Sequence, residues 1–540
     1  ALLVGWDDLR KSYEGDRYTY KVRDKEFTVA LTSETLAGTR IPKVVVPDLK
    51  DDGDKLEYLM LENVPGTFPY TCGVFPFKRE GEDPKRQFAG EGPPERTNRR
   101  FHYLCLDDPA KRLSTAFDSV TLYGEDPAKR LDEFRALLKR IRKHKLKAII
   151  DFVPNHVARN YEGASTPASS SPFGDGDDTS VPYSRKNDFY YIPGEAFRVP
   201  QWRDGYQPLG GLPHPLADHS FDENPAKWTG NGSRLAQPDM NDWYETVKLN
   251  YGVRPDGSHD FDALPDEYGR KEYKAHHEFW QGRDVPGTWE KFRDIVLFWL
   301  EFGVDGFRYD MAEMVPVEFW SYLNSHIKMK NPEAFLLAEV YNPDLYRAYI
   351  HRGKMDYLYD KVELYDSLKH IMKGYGWTDH IPVVQNSLKD IEHHMLRFLE
   401  NHDEQRIASP EFAGDARIGK PAMVVSATLS TSPVMIYFGQ EVGEPGAEDA
   451  GFGKPSRTSI FDYIGVPHHQ RWMNDKKFDG GASTPEEREL RDFYKRLLNF
   501  VKDSRALMGE YQDIHYYNKE HTTPYNHRVY SFVRWSEAKR

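Results

Sequence analysis

Short apolar runs recur along the chain, several of them closing on an acidic residue. They lie at 113–117, 146–151, 304–309, 335–339, 356–360, 396–400 and 433–438, each of strand length. Between them the spacing changes to a helical period. Leu131, Phe134, Leu137, Leu138 and Ile141 share one helical face, as do Trp289, Phe292, Ile295, Val296, Trp299 and Leu300, with Gly303 as the stop. Ser483 or Thr484 followed by Pro485 opens a last helix through Leu490, Phe493, Leu497 and Phe500. Strands alternating with such helices predict an α/β fold on a parallel sheet.

The ends of the runs carry the chemistry. IIDFVPNH closes on Asn155 and His156, GFRYD on Asp310, FLLAEV on Glu339 and FLENHD on Asp403. Parallel strands that deliver polar side chains at their C-terminal ends to one mouth describe the active face of a (β/α)8 barrel. Asp310 and Glu339 are 29 residues apart (339 − 310), the length of one βα repeat, which puts them on neighbouring strands. An isolated aspartate at a strand end is ordinarily half of a structural ion pair. Two or three acids at one mouth, with no nucleophilic Ser or Cys constellation, point instead to glycosidic bond chemistry.

These segments, in this order, resemble those of the alpha-amylase family of retaining glycoside hydrolases, over about residues 131 to 540. QPDMN at Gln237 to Asn241 resembles a fifth motif of that family, and YFGQE within 433–441 a further signature. The resemblance implies a (β/α)8 barrel from 131–156 and 286–505, lacking its first strands, and an inserted domain B at 157–285. A partial C-terminal β-domain would follow at 506–540, opening with YQDIHYYN and RVYSFVRW. It implies α-1,4-glucans as substrate, cleaved by double displacement. Asp310 would be the nucleophile, Glu339 the acid then base, and Asp403 the support of the distorted ring. His156 and His402 would bind sugar hydroxyls and Asp151 would brace the site. Arg308, on the same strand face as Asp310, would pair with it and keep it ionised. A calcium ion held by Asn155, Asp239 and the Met314 carbonyl also follows from the resemblance. The Lys-His pair that often follows the nucleophile is Glu313-Met314 here, a departure that counts against the ion.

Bulk properties narrow the field. The 540 residues can bury a large core, and the net charge of −12 argues against a nucleic-acid partner. Two cysteines, Cys72 and Cys105, supply neither a disulfide framework nor a CxxC metal pattern. No membrane-spanning stretch or signal-peptide profile is visible, so the chain as it stands reads as cytoplasmic. Oligomeric state is not legible. The acids Asp175, Asp177 and Asp178, in a Gly/Ser/Pro-rich stretch, read as a solvated turn.

Residues 1 to 130 read differently. ENVPGTFPYTCGVFPFKREGEDPKRQFAGEGPPERTNRRFHYL and RLSTAFDSVTLYGEDPAKR closely resemble cobalamin-dependent acyl-CoA mutases, nearest to the fused isobutyryl-CoA class. The likeness stops at Arg130, where DPAKRL, already present at Asp108 to Leu113, recurs at Asp126 to Leu131. The repeat is either a helix start used twice or the trace of a join. A mutase would need a cobalamin domain with its DxHxxG motif and, in the fused class, a Walker A loop. Neither is found, and no cobalamin is expected. The competing readings are a glycosidase and an impaired hybrid that keeps the motifs.

Overall fold

The computed structural model describes residues 130–159, 171–200, 221–239, 241–410, 412–446 and 466–536, together with five strands between 17 and 77. The strand expected at 113–117, both cysteines and the first copy of DPAKRL lie outside the described residues. The chain divides into two compact units, one holding the described residues up to His144 and the other those from Lys145 onward.

The first unit holds an antiparallel meander. Arg17–Val22, Lys25–Leu36, Thr39–Asp51, Asp54–Met60 and Val74–Phe77 pair in chain order. Register runs from Arg17 opposite Ala30 to Met60 opposite Val74. Its helix Arg130–Lys143 follows the expected period. Asp132 and Glu133 lie in its first turn and Arg140, Arg142 and Lys143 in its last, a placement that suits the helix dipole.

The second unit is built on the predicted parallel sheet. Ile149–Phe152, Gly306–Tyr309, Phe335–Ala338, Tyr357–Tyr359 and Met395–Leu396 lie side by side in chain order. All four pairings are parallel. A sheet whose spatial order follows chain order, with helices as crossovers, is wound like a (β/α)8 barrel; a doubly wound sheet reverses direction at a switch point. The run at 433–438 joins this sheet through a single parallel bridge, Arg397 to Val434. Arg397 N donates to Pro433 O at 3.1 Å and Met435 N to Arg397 O at 2.8 Å. It is thus a shorter partner than its apolar length suggested.

Local sequence explains the central strand. Period two sends Phe307 and Tyr309 to one face, and both are fully buried. There Tyr309 packs on Trp320 of helix Val317–Lys330 at 4.5 Å, while its hydroxyl donates to Asn324 at 2.7 Å. Phe152 meets Phe292 of helix Gly287–Phe302 edge-on at 5.0 Å. Gly306 is required: a Cβ there would lie 2.0 Å from the Phe335 carbonyl oxygen. The helix 287–302 ends as expected at Gly303, with φ of 116° and its N–H returned to Trp299 and Leu300. Thr484 and Glu487 form a capping box on helix Pro485–Asp503.

Two expectations need correction. Of the YQDIHYYN segment only its first three residues are strand, within Glu510–Asp513 paired with Phe532–Trp535, while His515–His521 is helical. Asp513 accepts from His515 N at 2.6 Å, and the buried His515 ring meets Asp379 at 2.7 Å, which together start the helix there. Asp177 is not a solvated turn residue. It accepts from the backbone N–H groups of Asp188 and Phe189 and from the Tyr191 hydroxyl, tying its loop to the 188–191 segment.

Candidate active site

Arg308 is the hub. On its strand it faces away from Phe307 and Tyr309, and two residues on Asp310 leaves from the same side. Its Nη1 donates to Asp310 Oδ1 at 2.8 Å and to both Asp151 oxygens at 3.1 Å. Its Nη2 donates to Glu339 Oε2 at 3.0 Å. Register makes this possible: Arg308 lies opposite Asp151, and Tyr309 opposite Ala338. Asp310 and Glu339 therefore follow paired positions on adjacent strands, as the 29-residue spacing predicted. A planar guanidinium with donors on both arms suits such a gathering of carboxylates.

The three acids differ in exposure. Glu339 is 6% exposed, Asp310 19% and Asp151 53%. Glu339 Oε2 also accepts from Met311 N at 2.8 Å. Burial lifts the Asp310 carboxyl to about 6; Arg308 opposes that shift and the Glu339 charge adds to it. Arg308 pairs with Asp310 as expected, but pairing does not outweigh burial. Arg308 thus limits the rise that burial imposes, and a carboxyl held at about 6 is still ionised at neutral pH.

A tyrosine that sequence reasoning missed joins the group. The Tyr341 hydroxyl is hydrogen-bonded to Glu339. Burial, the Glu339 charge and the Asp403 charge all raise its pKa. Tyr341 lies two residues past Glu339, and period two was the available signal. Tyr359, also missed, closes a 3-residue strand whose ring lies 5.7 Å from the Arg308 guanidinium. His402 Nε2 is 3.1 Å from Asp403 Oδ2, and the Asn401 carboxamide caps the backbone N–H groups of Asp403 and Glu404. Glu313, one of the departures from the family pattern, accepts from the N–H groups of Tyr341 and Asn342 at 2.9 Å each. It steadies the loop that carries Tyr341.

His156 lies beyond the 149–152 strand, opposite Lys248 in a short antiparallel pair. Burial and then Lys248 depress its pKa to about 4, so the ring is neutral at ordinary pH. Asn155 is buried and fully engaged. Its Oδ1 accepts from Lys248 Nζ at 2.7 Å, and its Nδ2 donates to Gly230 O at 2.9 Å and lies 3.2 Å from His156 Nδ1. Asp239 is exposed and caps Asn241. Met314 follows Asp310 in a 3-10 turn, with its side chain exposed. The oxygen that Asn155 would offer calcium is thus already taken by an ammonium, and the expected donor set does not fit a divalent ion.

Comparison with known proteins gives two distinct likenesses. Residues 270–503 match the family described as alpha amylase, catalytic domain. The C-terminal part is similar to alpha-amylase catalytic domains over that stretch. Residues 35–134 match methylmalonyl-CoA mutase, so the N-terminal part is a mutase-like fragment. The fused isobutyryl-CoA mutase of Geobacillus kaustophilus is 65% identical over 133 residues, covering 25% of this chain and 12% of that protein. Alpha-amylase 2 of Dictyoglomus thermophilum is 28% identical over 216 residues, covering 39% of this chain and 35% of its own. The chain thus spans about an eighth of one relative and a third of the other. Among solved structures, the alpha-amylase from H.orenii aligns at 17% identity over 77% of this chain and 74% of its own, with a TM-score of 0.46. Among the described residues no helix is long and apolar enough to cross a membrane.

Proposed function

We propose that the second unit is a retaining glycoside hydrolase acting on α-1,4-glucans by double displacement. The observation that carries this reading is the sharing of one guanidinium by Asp310 and Glu339 at adjacent strand ends. A retaining glycosidase needs two carboxyls roughly 5 Å apart, one to attack the anomeric carbon and one to protonate the leaving oxygen and then activate water. Asp310, with the lower burial and an Arg308 bond, is the nucleophile. Glu339, enclosed and hydrogen-bonded to Tyr341, is the acid and base. Asp403, paired with His402, and His156 are assigned to bind ring hydroxyls of the substrate. Arg308 fixes the spacing of both reacting carboxyls, while Asp151 steadies its outer arm.

Reducing-sugar release from maltooligosaccharides by the full chain tests the reading. Activity should fall by on the order of 10⁴-fold in Asp310→Asn and in Glu339→Gln, as expected for loss of a nucleophile or its proton partner. Undiminished turnover in Asp310→Asn ends the assignment. The impaired-hybrid reading makes the opposite forecast: a folded second unit with no turnover from the unsubstituted chain.

A further inference from the structure

We propose that the Lys248 ammonium serves as the built-in cation of the 152–156 strand end, in the place where the family resemblance puts a calcium ion. The observation is one of donor chemistry. A divalent ion at this position would need the Asn155 carboxamide oxygen, and that oxygen accepts from Lys248 Nζ at 2.7 Å. Among the described residues no carboxylate pairs with Lys248, so its charge is directed to that amide oxygen.

The lysine is held in place by its backbone. Lys248 N donates to Trp228 O at 3.1 Å, and Lys248 stands opposite His156 in the 156–158/246–248 pair. Its stem runs past Gly232, where an added Cβ would lie 3.9 Å from Cδ. With Oδ1 fixed by the ammonium, the other end of the Asn155 amide is oriented to donate to Gly230 O at 2.9 Å and to meet the His156 ring. Gly230 packs so closely on Thr246 and His156 that a Cβ would overlap the Thr246 hydroxyl. One lysine therefore locks an amide that joins the strand end, the 228–230 loop and the His156 ring, the organising task otherwise given to a metal. Asp239, exposed, accepts from the backbone and side-chain amides of Asn241. The inference concerns how this region is held together and stands whether or not the glucan reading is right.

The test is thermal unfolding of the full chain, followed by calorimetry, in excess EDTA and in millimolar calcium chloride. The melting temperature of the unsubstituted protein should be the same in both. A rise of several degrees with calcium, or heat of calcium binding by titration calorimetry, overturns the proposal. Lys248→Met keeps the stem and removes the charge, and should melt several degrees lower in both solutions. If it melts like the parent, the ammonium has no such role. Should Lys248→Met not fold at all, the parent's response to calcium still decides.

Discussion

Two strands of one sheet bring carboxylates to the same arginine, yet their surroundings differ. Gly306–Tyr309 is buried at every position and paired on both sides. Ile149–Phe152, among the described residues, pairs on one side only, and Ile149 and Asp151 are exposed. The two segments look alike as text, each a short apolar run with one charged residue. What separates them is the neighbour, and the neighbour sets what a charge is worth. Arg308 with Asp310 and Glu339 is an interaction in a water-poor setting, where removing the arginine strands two carboxylates. Arg308 with Asp151 is half in water, where screening leaves little.

The largest effect expected from this contrast is that of Arg308→Met. Leaving two enclosed carboxylates without their cation should cost about 3–5 kcal/mol in urea unfolding, together with loss of turnover. A loss under 1 kcal/mol would mean that the hub is not formed. Phe307→Ala should cost a similar amount, about 3–5 kcal/mol, through the cavity it opens. A truncation on the outer strand, Ile149→Ala, should cost far less because that residue is 38% exposed. Equal losses at the two positions would erase the distinction between the strands.

Asp310→Asn sharpens the contrast through pH. The carboxyl is held at about 6 in the folded protein against an ordinary 3.8, so folding opposes its ionised form. That cost is absent below about pH 4, grows as pH rises through the window and is complete above about 6. An asparagine never bears it. The variant should therefore be more stable than the parent by roughly 1–3 kcal/mol at pH 7, with the gain vanishing near pH 4. A gain that grew on acidification would reverse the assigned cause. The smallest effect belongs to Asp151→Asn, for which about 0–1 kcal/mol is expected from an exposed pair.

Much of this was legible beforehand for physical reasons. Strand order, the neighbouring ends that carry Asp310 and Glu339, the Gly303 stop and the Thr484 cap follow from periodicity and local chemistry, and the structure places each there. Other features needed the third dimension. Tyr341 gains its place only because the 341–342 turn folds back under Glu313. Lys248 reaches Asn155 across 93 residues of chain, and no local pattern reports such a contact. The raised Asp310 carboxyl depends on burial, which a sequence motif does not quantify. The His515 ring meets a partner 136 residues away, which no local pattern reports either.

The central claim is that Asp310 and Glu339, gathered by Arg308, perform double displacement. Its most direct test is to trap the glycosyl-enzyme with a fluorinated glucosyl fluoride and map the adduct by peptide mass spectrometry. The label should fall on the peptide containing Asp310, and Asp310→Asn should take up none. Starch cleavage by the full chain with the adduct on another residue, or with no adduct under conditions that trap a control retaining enzyme, would contradict the account.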